Sequence, residues 1–179
     1  MHAKTRLEEE RALFKYAEKY GFEGVSLRIG MVYGRGILMI DAAREFARRR
    51  MLGIWRKPNC IHLISLPDFL DAAYAACSKP GIRGIYHVGD AGVQTLREFL
   101  DAACDHWKVP RPAVMPLCLI YSAAAVFELL SALTGGPAFL TRDFVTIGRA
   151  SYYGDTSRMR AELLPKLKYE TFRDGIKTL

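Results

Sequence analysis

The sequence predicts an α/β fold whose strands pair in parallel. Two short runs, Val25–Ile29 and Cys60–Ser65, are rich in apolar and β-branched residues, and a third run, GIYHVGD at 84–90, has the same character. Segments of helical length separate these runs, which is the order that produces parallel pairing. The 179 residues are half apolar, so one globular domain with a buried core is expected.

The first elements follow from apolar spacing and from glycines. Leu7, Leu13 and Phe14 lie at near-helical spacing among charged residues, which predicts a helix that ends at Gly21. The strand Val25–Ile29 follows, and Gly30 begins a glycine-punctuated stretch. Alanines and a phenylalanine on one side predict a further helix over about 40–50.

Two later helices carry start signals. Pro67 and Asp68 open a segment in which proline suits the first turn and the acid suits the helix dipole. Thr95 is an expected N-cap, and Glu98 three residues later completes a capping box. The strand at 84–90 lies between these two helices.

The apolar stretch at 114–127 contains Pro116 and stops at Glu128, short of the roughly 18 to 20 residues that a membrane span needs. A buried or interfacial helix is therefore predicted, without a transmembrane segment. A connector over 109–116 precedes it. A short helix, a polar turn and another helix are predicted over 141–164, and a final turn or helix over 172–179.

The charged residues and cysteines exclude several classes of function. The 26 Lys and Arg outnumber the 19 Asp and Glu, and a solvated basic face is the default interpretation. The four cysteines form no CxxC pair and the histidines share no ligand spacing, so no metal site is expected. No nucleic-acid module is present, so no nucleic-acid partner is expected. A charged start without an apolar core predicts no signal peptide and a cytoplasmic protein.

Three stretches in order resemble the downstream half of the extended short-chain dehydrogenases/reductases, the NAD-dependent epimerase/dehydratase family. The branch they are most similar to contains 3β-hydroxysteroid dehydrogenase-like and dihydroflavonol reductase-like proteins. The stretches are RLEEERAL with SLRIGMVYGRG, then HLISLPDFLDAAYAAC with GIYHVGD and TLREFLDAAC, and last GGPAFLTRDFVTIGRASYYGDTSRMRAELL with FRDGIKTL.

This resemblance implies the C-terminal part of a Rossmann-like parallel sheet plus a small helical substrate-binding subdomain. Within a single domain 1–179, it assigns 1–36 and 82–106 to the Rossmann-like core and 37–81 and 107–179 mostly to the substrate side. The family's Gly-rich turn and ribose-binding acid would lie upstream. NAD or NADP is therefore expected only after complementation by an N-terminal half, and no cofactor is expected for the isolated chain.

The resemblance also carries candidate site residues. RLEEE aligns Arg6 with the family's catalytic lysine and His2 with its catalytic tyrosine. Both depart from the Tyr-x-x-x-Lys pair, and two exposed residues without a catalytic role are the alternative. The end of the first strand, which lines the nicotinamide pocket in the family, corresponds to Ile29, Gly30, Met31, Val32 and Tyr33. Packing of Val32 and Tyr33 under a loop is the alternative there.

The densest basic cluster is the candidate substrate-binding region. Arg44, Arg48 and Arg56 stand in the part of the chain that approaches the substrate in nucleotide-sugar-using relatives, and guanidinium groups suit phosphates. A solvated face is the alternative. Sterol-like, flavonoid-like and nucleotide-sugar small molecules all remain open as substrates.

Two functions follow. The first is the substrate-side portion of an NAD(P)-dependent epimerase, dehydratase or reductase, inactive alone. The second is a cofactor-free binding or assembly module that self-associates, because a parallel sheet without its neighbouring strands has edges and apolar faces to cover. The expected partners are a small-molecule substrate and either a second copy or a complementing N-terminal half.

Overall fold

The computed structural model describes residues 2–57, 59–136, 138 and 140–179, with side chains from Lys4 onward. Its strands are β1 (Val25–Ile29), β2 (Met31–Tyr33), β3 (Gly53–Ile54), β4 (Cys60–Ser65), β5 (Gly84–Val88), β6 (Val93–Thr95) and β7 (Ala113–Val114). Its α-helices are α1 (His2–Tyr20), α2 (Leu38–Arg48), α3 (Leu66–Ser78), α4 (Leu96–Trp107), α5 (Leu117–Thr134), α6 (Arg142–Gly148) and α7 (Phe172–Gly175). A π-helix, Met159–Leu163, and a 3-10 turn, Ile176–Thr178, complete them.

The predicted parallel α/β arrangement is confirmed. Among the described residues, β1 pairs with β5, β2 with β4 and β3 with β7, all in parallel. β4 also pairs with β6, but in the antiparallel direction. The reason is the short connection between β5 and β6, because a chain that reverses within a few residues returns antiparallel to the strands it left.

The strands β1 and β2 form one continuous stretch that changes partner at Gly30. The Gly30 amide still bonds the carbonyl of Val88, at 3.3 Å, before β2 moves onto β4. A Cβ at this position would lie 2.1 Å from the carbonyl oxygen of His62. Only glycine lets the backbones approach this closely.

The predicted starts of α3 and α4 are confirmed. Ser65 caps α3 by accepting from the Asp68 amide at 3.1 Å, with Pro67 in the first turn. Thr95 and Glu98 form the predicted capping box of α4. Both helices are therefore fixed at their amino ends by contacts within four residues, which a sequence pattern can identify.

Two apolar clusters lie on either side of the β2–β4 strands. The first contains Tyr33, Phe99 and Phe172, and α4 and the C-terminal elements supply much of it. The second contains Ile64 and Tyr86 and includes residues of α3 and of the π-helix.

The last helix predicted within 141–164 is found as the five-residue π-helix Met159–Leu163. The segment predicted at 172–179 forms α7 followed by the 3-10 turn.

Of the two alternatives predicted for the apolar stretch, the buried helix is wrong for α5, and the interfacial helix stays a prediction. This helix begins at Leu117 and continues past Glu128 to Thr134, and two of its 18 residues, Ile120 and Ala124, are buried. Within the described part of the chain it is the one helix long and apolar enough, by length and composition, to cross a membrane. Ile120 and Ala124 pack against Val145 of α6, and most of the remaining surface is open.

Candidate functional site

The carboxyl ends of β2 and β4 meet, at Tyr33 and Ser65, and the end of β5 lies beside them. β1 ends level with β5, at Ile29 and Val88, and continues through Gly30 into β2. The Asp90 amide also donates to the carbonyl of Leu63, at 2.7 Å, and so ties the end of β5 to β4. Open α/β sheets bind ligands outside the carboxyl ends of their strands. This region is therefore the candidate site.

Asp90 is one of two buried acids of this region, with 1% of its surface exposed. One carboxylate oxygen accepts from the Gly92 amide at 3.0 Å, while Oδ2 has no partner among the described residues. Burial raises the pKa of Asp90 to about 7, although the backbone amides of Gly92 and Phe172 and then the charge of Arg160 act in the opposite direction. Asp90 therefore exchanges a proton near neutral pH instead of carrying a fixed charge.

His62 packs beside Asp90 and is satisfied on both ring nitrogens. Its Nε2 lies 3.0 Å from the carbonyl oxygen of Asp90, and the Gly154 amide donates to Nδ1 at 3.4 Å. Because Nδ1 accepts, this pattern places the ring proton on Nε2. A Cβ on Gly89 would lie 2.3 Å from that nitrogen, so the chain passes directly against the ring. His62 is a core histidine that orders the loop after β5.

Tyr33 points into the core under the C-terminal segment. It is fully buried, and its ring meets Phe172 edge-on with centroids 5.1 Å apart. Its hydroxyl has no partner among the described residues. Burial, and then the nearby Asp90, raise the pKa of Tyr33. Two unpartnered buried polar atoms, on Tyr33 and Asp90, therefore share one electrostatic environment.

Asp68 fastens the C-terminal segment over these strand ends. Its carboxylate is fully buried and accepts from the amides of Lys168, at 2.6 Å, and Tyr169, at 3.2 Å, as well as from the Ser65 hydroxyl. The Ala91 amide donates to the carbonyl of Glu170, at 2.8 Å. Residues 168–179 thus form a cover over the polar interior. Asp68 has the structural role expected from its position at a helix start.

The residues predicted to line a nicotinamide pocket divide into accessible and packed positions. Ile29 is 40% exposed and Gly30 is half-buried. Met31 packs against the cluster around Phe99, and Val32 against the cluster on the other side of the sheet. Gly30, Met31 and Val32 are all half-buried and Tyr33 is fully buried, so Ile29 is the member of this set most accessible to a ligand in the described structure.

The predicted catalytic pair lies at the start of α1. The side chain of His2 is outside the described residues. Arg6 is exposed and forms an ion pair with Glu9 at 3.7 Å. An exposed pair of this kind contributes little to stability. The catalytic roles of His2 and Arg6 remain predictions.

The three arginines predicted to bind substrate are all exposed. Both nitrogens of the Arg48 guanidinium fork donate to Glu45, each at 2.9 Å, so that group already has a carboxylate partner. Arg44 and Arg56 form no ion pair among the described residues. Their role toward a substrate remains a prediction.

Two cavities are relevant to ligand binding. One of about 490 Å³ lies at the amino ends of β1 and β5, next to Phe14, Gly24 and Gly84. The other, of about 310 Å³, lies beside the cover and is lined by Gly92, Val93, Gln94, Glu98, Ala102, Thr171, Phe172 and Arg173. Although it is smaller, the second is the better candidate, because it adjoins the carboxyl ends of the strands. No three potential metal-binding side chains cluster anywhere in the described part of the chain.

A dinucleotide fits these residues only in part. Ile29 and Gly30 can supply one wall for a flat ring, but Gly30 is small because His62 lies against it, not to admit a phosphate. The connection after β1 leads into β2 and not into a helix N-terminus, which is where α/β proteins hold a pyrophosphate. The described residues could therefore contact the nicotinamide end of a dinucleotide, and other protein would have to hold its phosphates.

Protein-family models give no match to the chain, and neither do curated proteins. Solved structures do match. An epimerase from Methanothermobacter thermautotrophicus has a TM-score of 0.70 at 13% identity, with 97% of this chain and 47% of that chain covered. The UDP-glucose 4-epimerase of Thermotoga maritima, solved with UDP-glucose, has a TM-score of 0.67 at 17% identity, with coverages of 96% and 49%. The UDP-glucuronic acid 4-epimerase of Bacillus cereus, solved with UDP-glucuronic acid and NAD, has a TM-score of 0.64 at 14% identity, with coverages of 97% and 49%.

The chain has the fold of part of an NAD-dependent epimerase. It spans about half the length of these solved neighbours. The Rossmann-like α/β fold implied by the sequence resemblance is thereby confirmed, whereas the narrower 3β-hydroxysteroid dehydrogenase-like branch stays a prediction. At this level of identity, the likeness establishes the fold and leaves the activity to be argued from the site.

Sequence reasoning missed Asp90 and His62 as partners at the strand ends. The available signal was an acid directly after the strand at 84–90, where a parallel sheet presents its binding edge. Their contact could not be inferred, since 27 residues of chain and an entire helix separate them. The bond from the Asp90 amide to the Leu63 carbonyl and the contact of His62 Nε2 with the Asp90 carbonyl hold them together.

Proposed function

We propose that the chain is the substrate-side portion of an NAD(P)-dependent epimerase, dehydratase or reductase, and that it becomes active when an N-terminal dinucleotide-binding half is supplied. The observation that carries this proposal is the open outer edge of β1. Among the described residues β1 pairs on one side only, with β5, so the other side presents unpaired backbone groups. An edge of this kind is a template for another strand.

The helix beside that edge supports the same proposal. From residue 4 onward, α1 has no fully buried side chain, and Leu7, Tyr16 and Tyr20 are 42%, 49% and 64% exposed. Its main attachment to the sheet is polar: Glu10 accepts two bonds from the Arg28 guanidinium, at 3.0 and 2.6 Å. A helix of 19 residues with so little apolar contact gains stability from a second packing surface.

A binding titration separates this proposal from a self-sufficient enzyme. NADH fluorescence is titrated against the isolated chain, and against the chain produced together with any polypeptide encoded in frame upstream of its first codon. We expect saturable binding only for the longer product. Tight saturable binding by the isolated chain would contradict the proposal. So would an upstream segment that includes a Gly-rich phosphate turn but restores no binding.

The same open edge favours a second candidate, a cofactor-free module that self-associates through β1. Parallel sheets are normally covered on their faces and edges, and a second copy would supply the missing cover. Size-exclusion chromatography with light scattering distinguishes the two candidates. A stable dimer that persists at micromolar concentration supports self-association, while a monomer that binds the upstream half supports the enzyme portion.

A further inference from the structure

The surface of α5 is uncharged and mostly apolar over more than half of its circumference. Ile120 and Ala124 are buried against α6 and set one face of the helix toward the domain. The opposite side carries five large apolar side chains that are 49–74% exposed: Leu119, Val126, Leu129, Leu130 and Leu133. At 100° per residue, the exposed positions of α5 cover about 200° of arc. Every side chain in that arc is uncharged.

The single acid of α5 is neutralised within the protein. Glu128 accepts from the Arg142 amide and from its guanidinium, both at 2.7 Å, and so lies toward α6. The exposed side of α5 is therefore uncharged and mostly apolar, with Ser122 and Thr134 as its polar side chains. A helix that is almost entirely apolar belongs either in a large core or in a lipid phase, and this chain buries only Ile120 and Ala124 of α5.

A basic segment lies beside this surface. It runs from Arg44 to Lys57 and contains Arg44, Arg48, Arg49, Arg50, Arg56 and Lys57. Phe46 holds its first part on α5 by an edge-on contact with Phe127, with centroids 6.4 Å apart. Trp55 holds its second part on the cluster formed by Ile120, Ala124 and Val145. Across 38–57 and 117–149, eight basic residues stand against four acidic ones.

We infer that α5 and the basic segment form an attachment surface for an anionic lipid bilayer. The exposed face of α5 would enter the boundary between headgroups and acyl chains, and the arginines beside it would meet the anionic headgroups. A helical partner, including a second copy, is less well matched. The seam of a coiled coil is narrow and flanked by charged positions, whereas the exposed arc of α5 is broad and uncharged.

Vesicle sedimentation of the full 179-residue chain tests this inference. The vesicles contain phosphatidylcholine alone or phosphatidylcholine with phosphatidylglycerol. The wild-type chain should sediment with the anionic vesicles far more than with the neutral ones, and added salt should reduce the difference. No binding to either composition would overturn the inference.

Variants distinguish the apolar from the basic contribution. Leu130→Gln with Leu133→Gln should lower anionic-vesicle binding by about a hundredfold, since two leucine side chains no longer leave water. Arg44→Gln with Arg50→Gln should lower it by about tenfold or more. The matched controls are Leu70→Gln on α3, which is 55% exposed in the wild type, and Lys4→Gln with Lys15→Gln on α1. Both controls should bind like the wild type.

The double variant Leu130→Gln with Leu133→Gln shows whether a bilayer or another partner covers the exposed face of α5. Unchanged vesicle binding in Leu130→Gln with Leu133→Gln would overturn the inference. So would a wild-type dimer that this variant converts to a monomer while neither protein binds vesicles, because that result assigns the surface to a second copy. Circular dichroism of each variant establishes that the fold is kept. The NADH titration does not involve α5, so its failure and the failure of this inference are distinguishable.

Discussion

The contact between Gly175 and Tyr33 gives a sharp test of how the C-terminal cover is packed. A Cβ on Gly175 would lie 2.1 Å from the Tyr33 hydroxyl oxygen and 2.9 Å from two carbons of its ring. The backbone of Gly175, at φ −88°, is one that alanine adopts freely, so a substitution there acts through sterics alone. Tyr33 is fully buried and cannot move into solvent. We expect Gly175→Ala to lower the free energy of unfolding by about 3 kcal/mol, the upper range for overpacking.

Removing the hydroxyl should relieve most of that cost. The Tyr33 hydroxyl has no hydrogen-bond partner among the described residues, so Tyr33→Phe should change stability by less than about 1 kcal/mol. In the Tyr33→Phe background the nearest remaining contacts are the ring carbons at 2.9 Å. There Gly175→Ala should cost about 1 kcal/mol, which leaves a coupling of about 2 kcal/mol between the two positions.

Urea denaturation followed by tryptophan fluorescence measures all four proteins of this cycle. With a urea dependence of about 2 kcal/mol per molar, the Gly175→Ala midpoint should fall by about 1.5 M. Equal costs in the Tyr33 and Tyr33→Phe backgrounds would refute the reasoning, because the hydroxyl would then not be the group that Gly175 accommodates. A cost of Gly175→Ala below about 0.5 kcal/mol would show that the cover does not pack on Tyr33.

Substitutions at three other positions test the polar interior and one helix start. Because burial holds the pKa of Asp90 at about 7, the folded protein keeps a proton that the unfolded chain loses near pH 4. Stability should therefore fall by up to about 4 kcal/mol as the pH rises from 4 to 7, and urea midpoints of Asp90→Asn should lack this decline. Asp68→Ala removes the acceptor for the amides of Lys168 and Tyr169 and should lower the free energy of unfolding by about 3 kcal/mol. In limited proteolysis of this variant, the first cuts should fall within 165–179. If 165–179 stays protected, Asp68 does not anchor the C-terminal segment. Thr95→Ala should lower the free energy of unfolding by about 1 kcal/mol in urea denaturation, because the N-cap of α4 is lost, and Thr95→Ser should keep most of that stability.

Local features of the fold could be predicted from the sequence. The bounds of β1 and β4, the proline and acid in the first turn of α3 and the capping box of α4 depend on residues within a few positions of one another, and all are found as predicted. The strands β2, β3, β6 and β7 have two or three residues each and were not identified, because so short a segment has no measurable periodicity.

The interior of the candidate site could not be predicted because distant segments build it. The acid at 90 follows a predicted strand, yet its burial depends on the segment 168–179, which Asp68 anchors from 100 residues away. Tyr33 was assigned to a cofactor pocket by resemblance, with packing under a loop as the alternative. The structure buries it beneath Phe172, an arrangement that no local pattern indicates.

The exposed face of α5 and the open edge of β1 are separate surfaces, and they are covered in different ways. The edge of β1 presents backbone groups, and these are satisfied by another strand, whose own backbone supplies the matching donors and acceptors. The face of α5 has its backbone bonds satisfied within the helix and presents only side chains, so a fluid apolar phase can cover it without directional contacts. The edge of β1 therefore requires a protein partner of defined geometry, whereas the face of α5 requires only an apolar phase. A chain that attaches to a bilayer through α5 leaves β1 free to pair, because α1 and β1 pack with β5, while α5 packs with α2 and α6.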